Sequence, residues 1–93
     1  MSARILVINP NSTQAVTDGI AQAVAGLAVP GGPRIDCVTL AEGPPGIESQ
    51  QHVDGVIGPL CDLIKRDPAD AYVIACYSDP GLHSAREVTD KPV

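Results

Sequence analysis

The sequence predicts an α/β protein with an open parallel sheet and flanking helices. Three short aliphatic runs alternate with segments in which apolar residues recur every three to four positions. The chain has no Phe or Trp, so its core must come from Val, Ile, Leu and Ala, which are typical of a parallel sheet buried on both faces. A length of 93 residues suits one such domain and is too short for two.

The charge balance argues against a nucleic-acid-binding function. Eleven acidic residues oppose six basic ones, giving a net charge of −5, and no basic run is present to neutralise phosphates. Residues 5–8, the aliphatic run nearest the amino terminus, are far shorter than a signal-peptide core or a membrane span. We therefore expect a cytoplasmic protein whose partner is a small molecule or another protein, with neither a nucleic-acid nor a membrane partner.

The first strand is predicted over residues 4–8, where aliphatic side chains follow one another without polar alternation before Asn9-Pro10-Asn11. Asn11 and Gln14 form a capping-box pattern, which predicts a helix that begins after Asn11 and ends before Pro30. Its apolar residues recur at helical spacing and are Val16, Ile20, Val24 and Leu27.

The second strand is predicted over residues 34–40, which are rich in β-branched residues and bounded by turns. After a loop over 41–48, Ser49 is placed to cap a helix whose apolar stripe is Val53, Val56, Ile57, Leu60 and Ile64. Pro59 lies within this pattern, and we expect it to kink one continuous helix.

The third strand is predicted over residues 71–76, and Asp79-Pro80 then opens a third helix with Asp79 as its N-cap. Lys91-Pro92-Val93 has the pattern of a lead-in to a fourth strand. We therefore expect the domain to be part of a larger protein.

Candidate functional residues follow the three predicted strands, because ligands of open α/β sheets bind at the carboxyl ends of the strands. Cys76 would end the third strand shortly before a helix amino terminus, which favours ionisation of a thiol to a base or nucleophile. The alternative is a buried structural cysteine. Asn9 and Asn11 could bind a carbonyl or carboxylate, or could only cap the helix.

The other two cysteines, Cys37 and Cys61, are expected to lie in the core. The cysteine spacing matches neither a disulfide framework nor a zinc site, so we expect three free thiols and no metal. Motifs typical of nucleotide binding, zinc proteases and α/β-hydrolases are absent from the sequence.

Three segments resemble the hydantoin and allantoin racemases of the Asp/Glu racemase superfamily. They are residues 5–13 with the sequence ILVINPNST, residues 46–49 with GIES, and residues 73–82 with VIACYSDPGL, followed by Ala85-Arg86-Glu87. The resemblance runs the whole chain. It implies that residues 1–93 are the amino-terminal, flavodoxin-like lobe of a two-lobe enzyme, with the active site between the lobes and the second lobe absent from this chain.

The resemblance further implies a racemase that needs no cofactor and inverts the stereocentre of a 5-substituted hydantoin or of allantoin. One cysteine from each lobe would transfer protons, and Cys76 matches the first of them. Asn9, Asn11, Ser78 and Asp79 would bind substrate. The family's second cysteine has no counterpart here, and many members have glycine where Ser78 stands. We expect the full-length protein to be a homo-oligomer and the 93 residues alone to be inactive.

Two alternatives remain open. The same scaffold could serve a decarboxylase or a cis–trans isomerase, and decarboxylation needs only one proton donor. The chain could also be a non-enzymatic, flavodoxin-like ligand-binding module. A phosphoacceptor module of that kind would require acidic residues where Asn9 and Cys76 stand.

Overall fold

The computed structural model describes residues 3–93 and contains a parallel, three-stranded sheet with helices on both faces. The strand order is β2-β1-β3. The elements are β1 (Arg4–Asn9), α1 (Gln14–Val24), a 3₁₀ turn (Ala25–Leu27), β2 (Arg34–Thr39), α2 (Gln50–Gly55), α3 (Ile57–Arg66), β3 (Ala71–Ile74) and α4 (Leu82–Val88). The predicted fold class is confirmed.

The central strand β1 separates two layers of side chains. In the sheet, β2 lies on one side of β1 and β3 lies on the other, so the β1–β2 and β2–β3 connections run in opposite directions. Because such connections are right-handed, their helices lie on opposite faces of the sheet. Leu6 and Ile8 face the layer that contains α3 and α4, while Asn9 faces α1. The core on the first face consists of Leu6, Ile8, Leu40, Val56, Leu60, Leu63, Ile64, Tyr72 and Ala85.

The helix that follows Ser49 is two helices, so the expectation of one kinked helix was wrong. The chain turns at Val56, between α2 and α3. Pro59 lacks the N–H that a continuous helix would direct at the Gly55 carbonyl. A new helix starting at Ile57 places Pro59 in its first turn, where backbone N–H groups have no helical acceptor. Ser49 caps α2 as predicted, its Oγ accepting from the N–H of His52 at 3.1 Å.

Two other helix starts differ from the predictions. Thr13, and not Asn11, is the N-cap residue of α1, while the Oδ1 atom of Asn11 accepts a hydrogen bond from the Thr13 N–H at 2.9 Å. The third predicted helix begins at Leu82 with Gly81 as its N-cap, so Asp79 is not a cap. Asp79 instead belongs to a turn, because its carbonyl accepts from the Leu82 N–H at 3.2 Å.

The outer edge of β3 is partly covered by the segment after α4. The Tyr72 N–H donates to the carbonyl of Pro92 at 2.9 Å, on the edge of β3 that faces away from β1. Residues 91–93, which were predicted to lead into a fourth strand, therefore lie beside the edge of β3 and are not themselves a strand.

An ion-pair cluster lies at the opposite end of β1 from the strand ends that carry the candidate residues. The Arg4 guanidinium contacts Asp36 at 2.6 Å and Asp67 at 2.7 Å. Its hydrogen bond to Asp36 lowers the pKa of that carboxyl group. Within residues 3–93, every helix is too short or too polar to cross a bilayer.

Candidate active site

The strand register brings the three predicted loops to one edge of the sheet. Asn9 pairs with Thr39 of β2, and Ile8 pairs with Ile74 of β3. The N–H of Ala75, one residue beyond β3, donates a hydrogen bond to the Ile8 carbonyl of β1 at 2.8 Å, and Cys76 is the next residue in the chain. The carboxyl ends of all three strands therefore meet, as an open α/β sheet requires.

The loops after β1 and β2 are held together by two hydrogen bonds. The N–H of Ser12 donates to the Pro44 carbonyl at 2.9 Å, and the Thr13 hydroxyl donates to the Pro45 carbonyl at 2.7 Å. Gly43 allows this approach, because a Cβ atom there would lie 2.3 Å from the Pro10 carbonyl oxygen. The loop after β2 thus fixes the loop that contains Asn11.

Two adjoining cavities open at this edge. The larger has a volume of about 500 Å³ and lies between α1 and the end of β3, and the smaller, of about 210 Å³, extends to the loop after β1. Asn9 and Asn11 line the smaller cavity. The residues that line both are Val16, Ala75, Cys76 and Tyr77. The structure therefore brings Cys76 and both asparagines to one site.

Cys76 lies in a turn, two residues beyond the end of β3, and is half-buried. Its carbonyl accepts from the N–H of Asp79 at 3.1 Å. Its Sγ atom lies 3.4 Å from the hydroxyl oxygen of Ser78. A thiolate cannot donate, so the Ser78 hydroxyl is the donor whenever the sulfur is ionised.

Ser78 and Asp79 are exposed, and among residues 3–93 they stand outside the walls of both cavities. Asp79 has a positive φ of 48°, in the left-handed region. This conformation and its backbone hydrogen bonds shape the turn that presents Cys76.

Backbone donors show which side-chain atom of each asparagine is the amide oxygen. The Asn11 N–H donates to Oδ1 of Asn9 at 3.2 Å, and the Thr13 N–H donates to Oδ1 of Asn11 at 2.9 Å. A backbone N–H can only donate, so each of these side-chain atoms must be oxygen. Asn9 is 2% exposed, and its Nδ2 donates to Oδ1 of Asn11 at 2.7 Å.

Asn11 is therefore the asparagine with a free donor. Within residues 3–93, no group accepts a hydrogen bond from its Nδ2 atom. Asn11 is partly exposed on the wall of the smaller cavity, whereas Asn9 is buried and its Nδ2 donates to the Thr17 hydroxyl. Asn11 can thus donate to a carbonyl oxygen in the cavity, and Asn9 holds Asn11 in place.

The other two cysteines lie elsewhere. Cys37 is in β2 and Cys61 is a buried residue of α3, and in the described part of the chain neither lines these cavities. Burial raises the pKa of both thiols, and the charge of Asp36 raises that of Cys37 further. Both are therefore poor candidates for an acid/base group at this site.

Sequence reasoning missed several residues that build the site. Ile47 and Tyr77 line the smaller cavity, and Thr17 hydrogen-bonds to Asn9 from the buried side of α1. Helical spacing did not mark Thr17, because the predicted apolar stripe of this helix begins at Val16, which is 42% exposed, whereas Thr17 is 2% exposed. The sequence pattern did not mark Tyr77 either, whose side chain is fully exposed beside the cavities.

Comparison with known proteins agrees with the resemblance seen in the sequence. A family model described as Asp/Glu/hydantoin racemase matches residues 5–93. A hydantoin racemase of Pseudomonas sp. (strain NS671) is 47% identical over 93 residues, which are 97% of this chain and 37% of that protein. A hydantoin racemase of Paenarthrobacter aurescens is 43% identical over 94 residues, covering 97% of this chain and 39% of that protein.

A solved structure gives the same result for the fold. Allantoin racemase from Klebsiella pneumoniae superimposes with a TM-score of 0.82 at 36% identity, over 91% of this chain and 36% of that one. The chain thus spans little more than a third of the length of the relatives that it matches.

Proposed function

Because the chain belongs to the Asp/Glu/hydantoin racemase family, we propose that it forms the amino-terminal lobe of a racemase acting on a 5-substituted hydantoin or on allantoin. The observation that carries this proposal is the shared cavity wall of Cys76, Asn9 and Asn11. A thiol that can exchange a proton and an amide that can bind a carbonyl oxygen lie at the same edge of the sheet.

The proposed chemistry is proton transfer from and to C5 of the substrate ring, the carbon next to a ring carbonyl. The Cys76 thiolate removes the proton from C5 of the ring, and the electron pair of that C–H bond moves onto the adjacent carbonyl oxygen. A second acid on the opposite face returns a proton to C5 and inverts the stereocentre. Removal and return on opposite faces require two groups, one ionised and one protonated.

Asn11 and Ser78 are proposed to assist this transfer at different atoms. The free Nδ2 donor of Asn11 would bind a ring carbonyl oxygen and so hold the substrate in place. The Ser78 hydroxyl, 3.4 Å from the Cys76 sulfur, would stabilise the thiolate. Asp79 would shape the turn that presents the thiolate. The reaction uses side chains alone and needs no cofactor.

The second acid is proposed to come from a further lobe that closes over this edge. In support, several apolar side chains near the cavities are open to solvent, with Val16 at 42%, Val73 at 46% and Tyr77 at 108% exposure. Apolar surface of this kind is typical of an interface. Cys37 and Cys61 do not serve as the second acid, because neither reaches the cavities among the described residues.

The test is proton exchange by the full-length gene product with an enantiopure 5-substituted hydantoin in D2O. Replacing Cys76 by Ser or Ala should lower both racemisation and deuterium incorporation at C5 by a factor on the order of 10²–10⁴, the usual contribution of one acid/base group. Cys37→Ala is the matched control and should retain activity, since Cys37 lies away from the cavities. A folded Cys76→Ala protein that racemises at the native rate would refute the assignment.

A further inference from the structure

We propose that a chain of hydrogen bonds, here called the threonine relay, orients the Asn11 amide toward the cavity. This makes Thr17 and Thr39 positioning residues for recognition of a substrate carbonyl oxygen. The inference rests on the proposed function, in which Asn11 binds substrate. From the surface to the site, the relay consists of Asp18, Gln14, Thr39, Thr17 and Asn9.

The direction of the relay is set at its surface end. Nε2 of Gln14 lies 2.9 Å from a carboxylate oxygen of Asp18, which can only accept. The amide oxygen of Gln14 must then face the other way, 2.8 Å from the Thr39 hydroxyl. Thr39 therefore donates its single proton to Gln14.

The donor and acceptor roles of Thr17 follow from the hydrogen bond that Thr39 donates to Gln14. The hydroxyl oxygens of Thr17 and Thr39 are 2.6 Å apart, and because the Thr39 proton is already engaged, Thr17 is the donor between them. The Thr17 oxygen is left to accept, and Nδ2 of Asn9 donates to it at 3.0 Å. Each of the two hydroxyl groups thus donates one hydrogen bond in the direction of Gln14 and accepts one from the direction of Asn9.

At the site end, the relay fixes Asn9 and, through it, Asn11. With Nδ2 held by Thr17, the Asn9 amide presents its oxygen to the N–H of Asn11 and its second N–H to Oδ1 of Asn11. Asn9 and Thr17 are each 2% exposed, so water cannot replace a lost partner without rearrangement. The Nδ2 group of Asn11, a residue of the cavity wall, remains as a donor without an acceptor among residues 3–93.

The experiment compares Thr17→Val with Thr17→Ser in the full-length gene product. Valine has a similar shape but neither donates nor accepts, whereas serine keeps the hydroxyl. Thr89→Val is the matched control, because the Thr89 hydroxyl contacts only the backbone N–H of Lys91 after α4. Thr39→Val breaks the relay one step further from the site and replaces Thr17→Val if that protein fails to fold.

Two measurements are made on each variant. Steady-state racemisation of an enantiopure 5-substituted hydantoin gives KM and kcat, and NMR of the side-chain amide groups reports the order of Asn11 without any activity. We expect Thr17→Val to raise KM about tenfold with kcat little changed, since a misplaced binding donor weakens ground state and transition state alike. The Asn11 amide signal should shift and lose order in Thr17→Val, and Thr17→Ser should restore both readouts.

An unchanged KM in a folded Thr17→Val or Thr39→Val protein would overturn the recognition role, whatever the NMR signals show. An unchanged Asn11 amide signal would overturn the orienting role. If the wild-type protein does not racemise hydantoins, the proposed function fails, and the amide signals still decide by themselves whether the relay orients Asn11.

Discussion

Replacing Gly43 by alanine tests whether the tight contact between two strand-end loops maintains the site. A Cβ atom at this position would lie 2.3 Å from the Pro10 carbonyl oxygen and 3.2 Å from that of Leu40. Both neighbours are backbone atoms, so a side-chain rotation cannot relieve the overlap. The loop after β2 must move away from the loop after β1.

The expected loss in the free energy of unfolding has two contributions. Overpacking of this kind costs about 1–3 kcal/mol. Movement of the loop also weakens the hydrogen bonds from Ser12 to Pro44 and from Thr13 to Pro45, each contributing about 1 kcal/mol. We therefore expect a loss of about 3 kcal/mol, which lowers the Tm of a domain of this size by roughly 12–24 °C.

The assay is thermal unfolding followed by far-UV circular dichroism, with Gly19→Ala as the matched control. Gly19 lies within α1, and nothing is within 4 Å of the Cβ atom that alanine would add. Alanine there should stabilise the helix by about 0.5–1 kcal/mol and raise the Tm by a few degrees. Equal Tm values for the Gly43→Ala and wild-type proteins would show that the loop contact does not hold the site.

Three further outcomes are expected. Tyr72→Phe should lower the free energy of unfolding by about 2 kcal/mol in urea titrations, because the buried hydroxyl accepts from the Ala69 N–H and shares its single proton between two backbone carbonyls. Stability should fall as the pH drops below about 4, since Arg4 lowers the pKa of folded Asp36, and Asp36→Asn should flatten that dependence. Iodoacetamide should label Cys76 before buried Cys61 in peptide mass spectrometry, and the reverse order would contradict the accessibility argument.

Periodicity in the sequence was sufficient to predict the order and type of the elements. The aliphatic runs at residues 4–8, 34–40 and 71–76 became the three parallel strands. Of the apolar stripe predicted for the second helical segment, Val56, Leu60 and Ile64 are buried, while Val53 and Ile57 are partly exposed. Boundaries were less predictable, because a helix start depends on which nearby group satisfies the first N–H groups. Thr13 and Gly81 are the N-cap residues where Asn11 and Asp79 had been expected.

The location of the candidate site was predictable from the sequence, but its hydrogen bonds were not. Parallel strands end at one edge, so Asn9, Asn11 and Cys76 could be placed near one another without coordinates. The sequence could not show which asparagine has a free donor, because the hydrogen bonds of both side chains depend on backbone N–H groups and on Thr17 and Thr39.

The sequence by itself determined the parallel α/β architecture and the family, since both depend on local patterns and short motifs. Only the tertiary structure decided the contact of Gly43 with Pro10 and the direction of the threonine relay. These features arise between residues far apart in the chain, where hydrogen-bond direction and steric fit are set by the packing of one element against another.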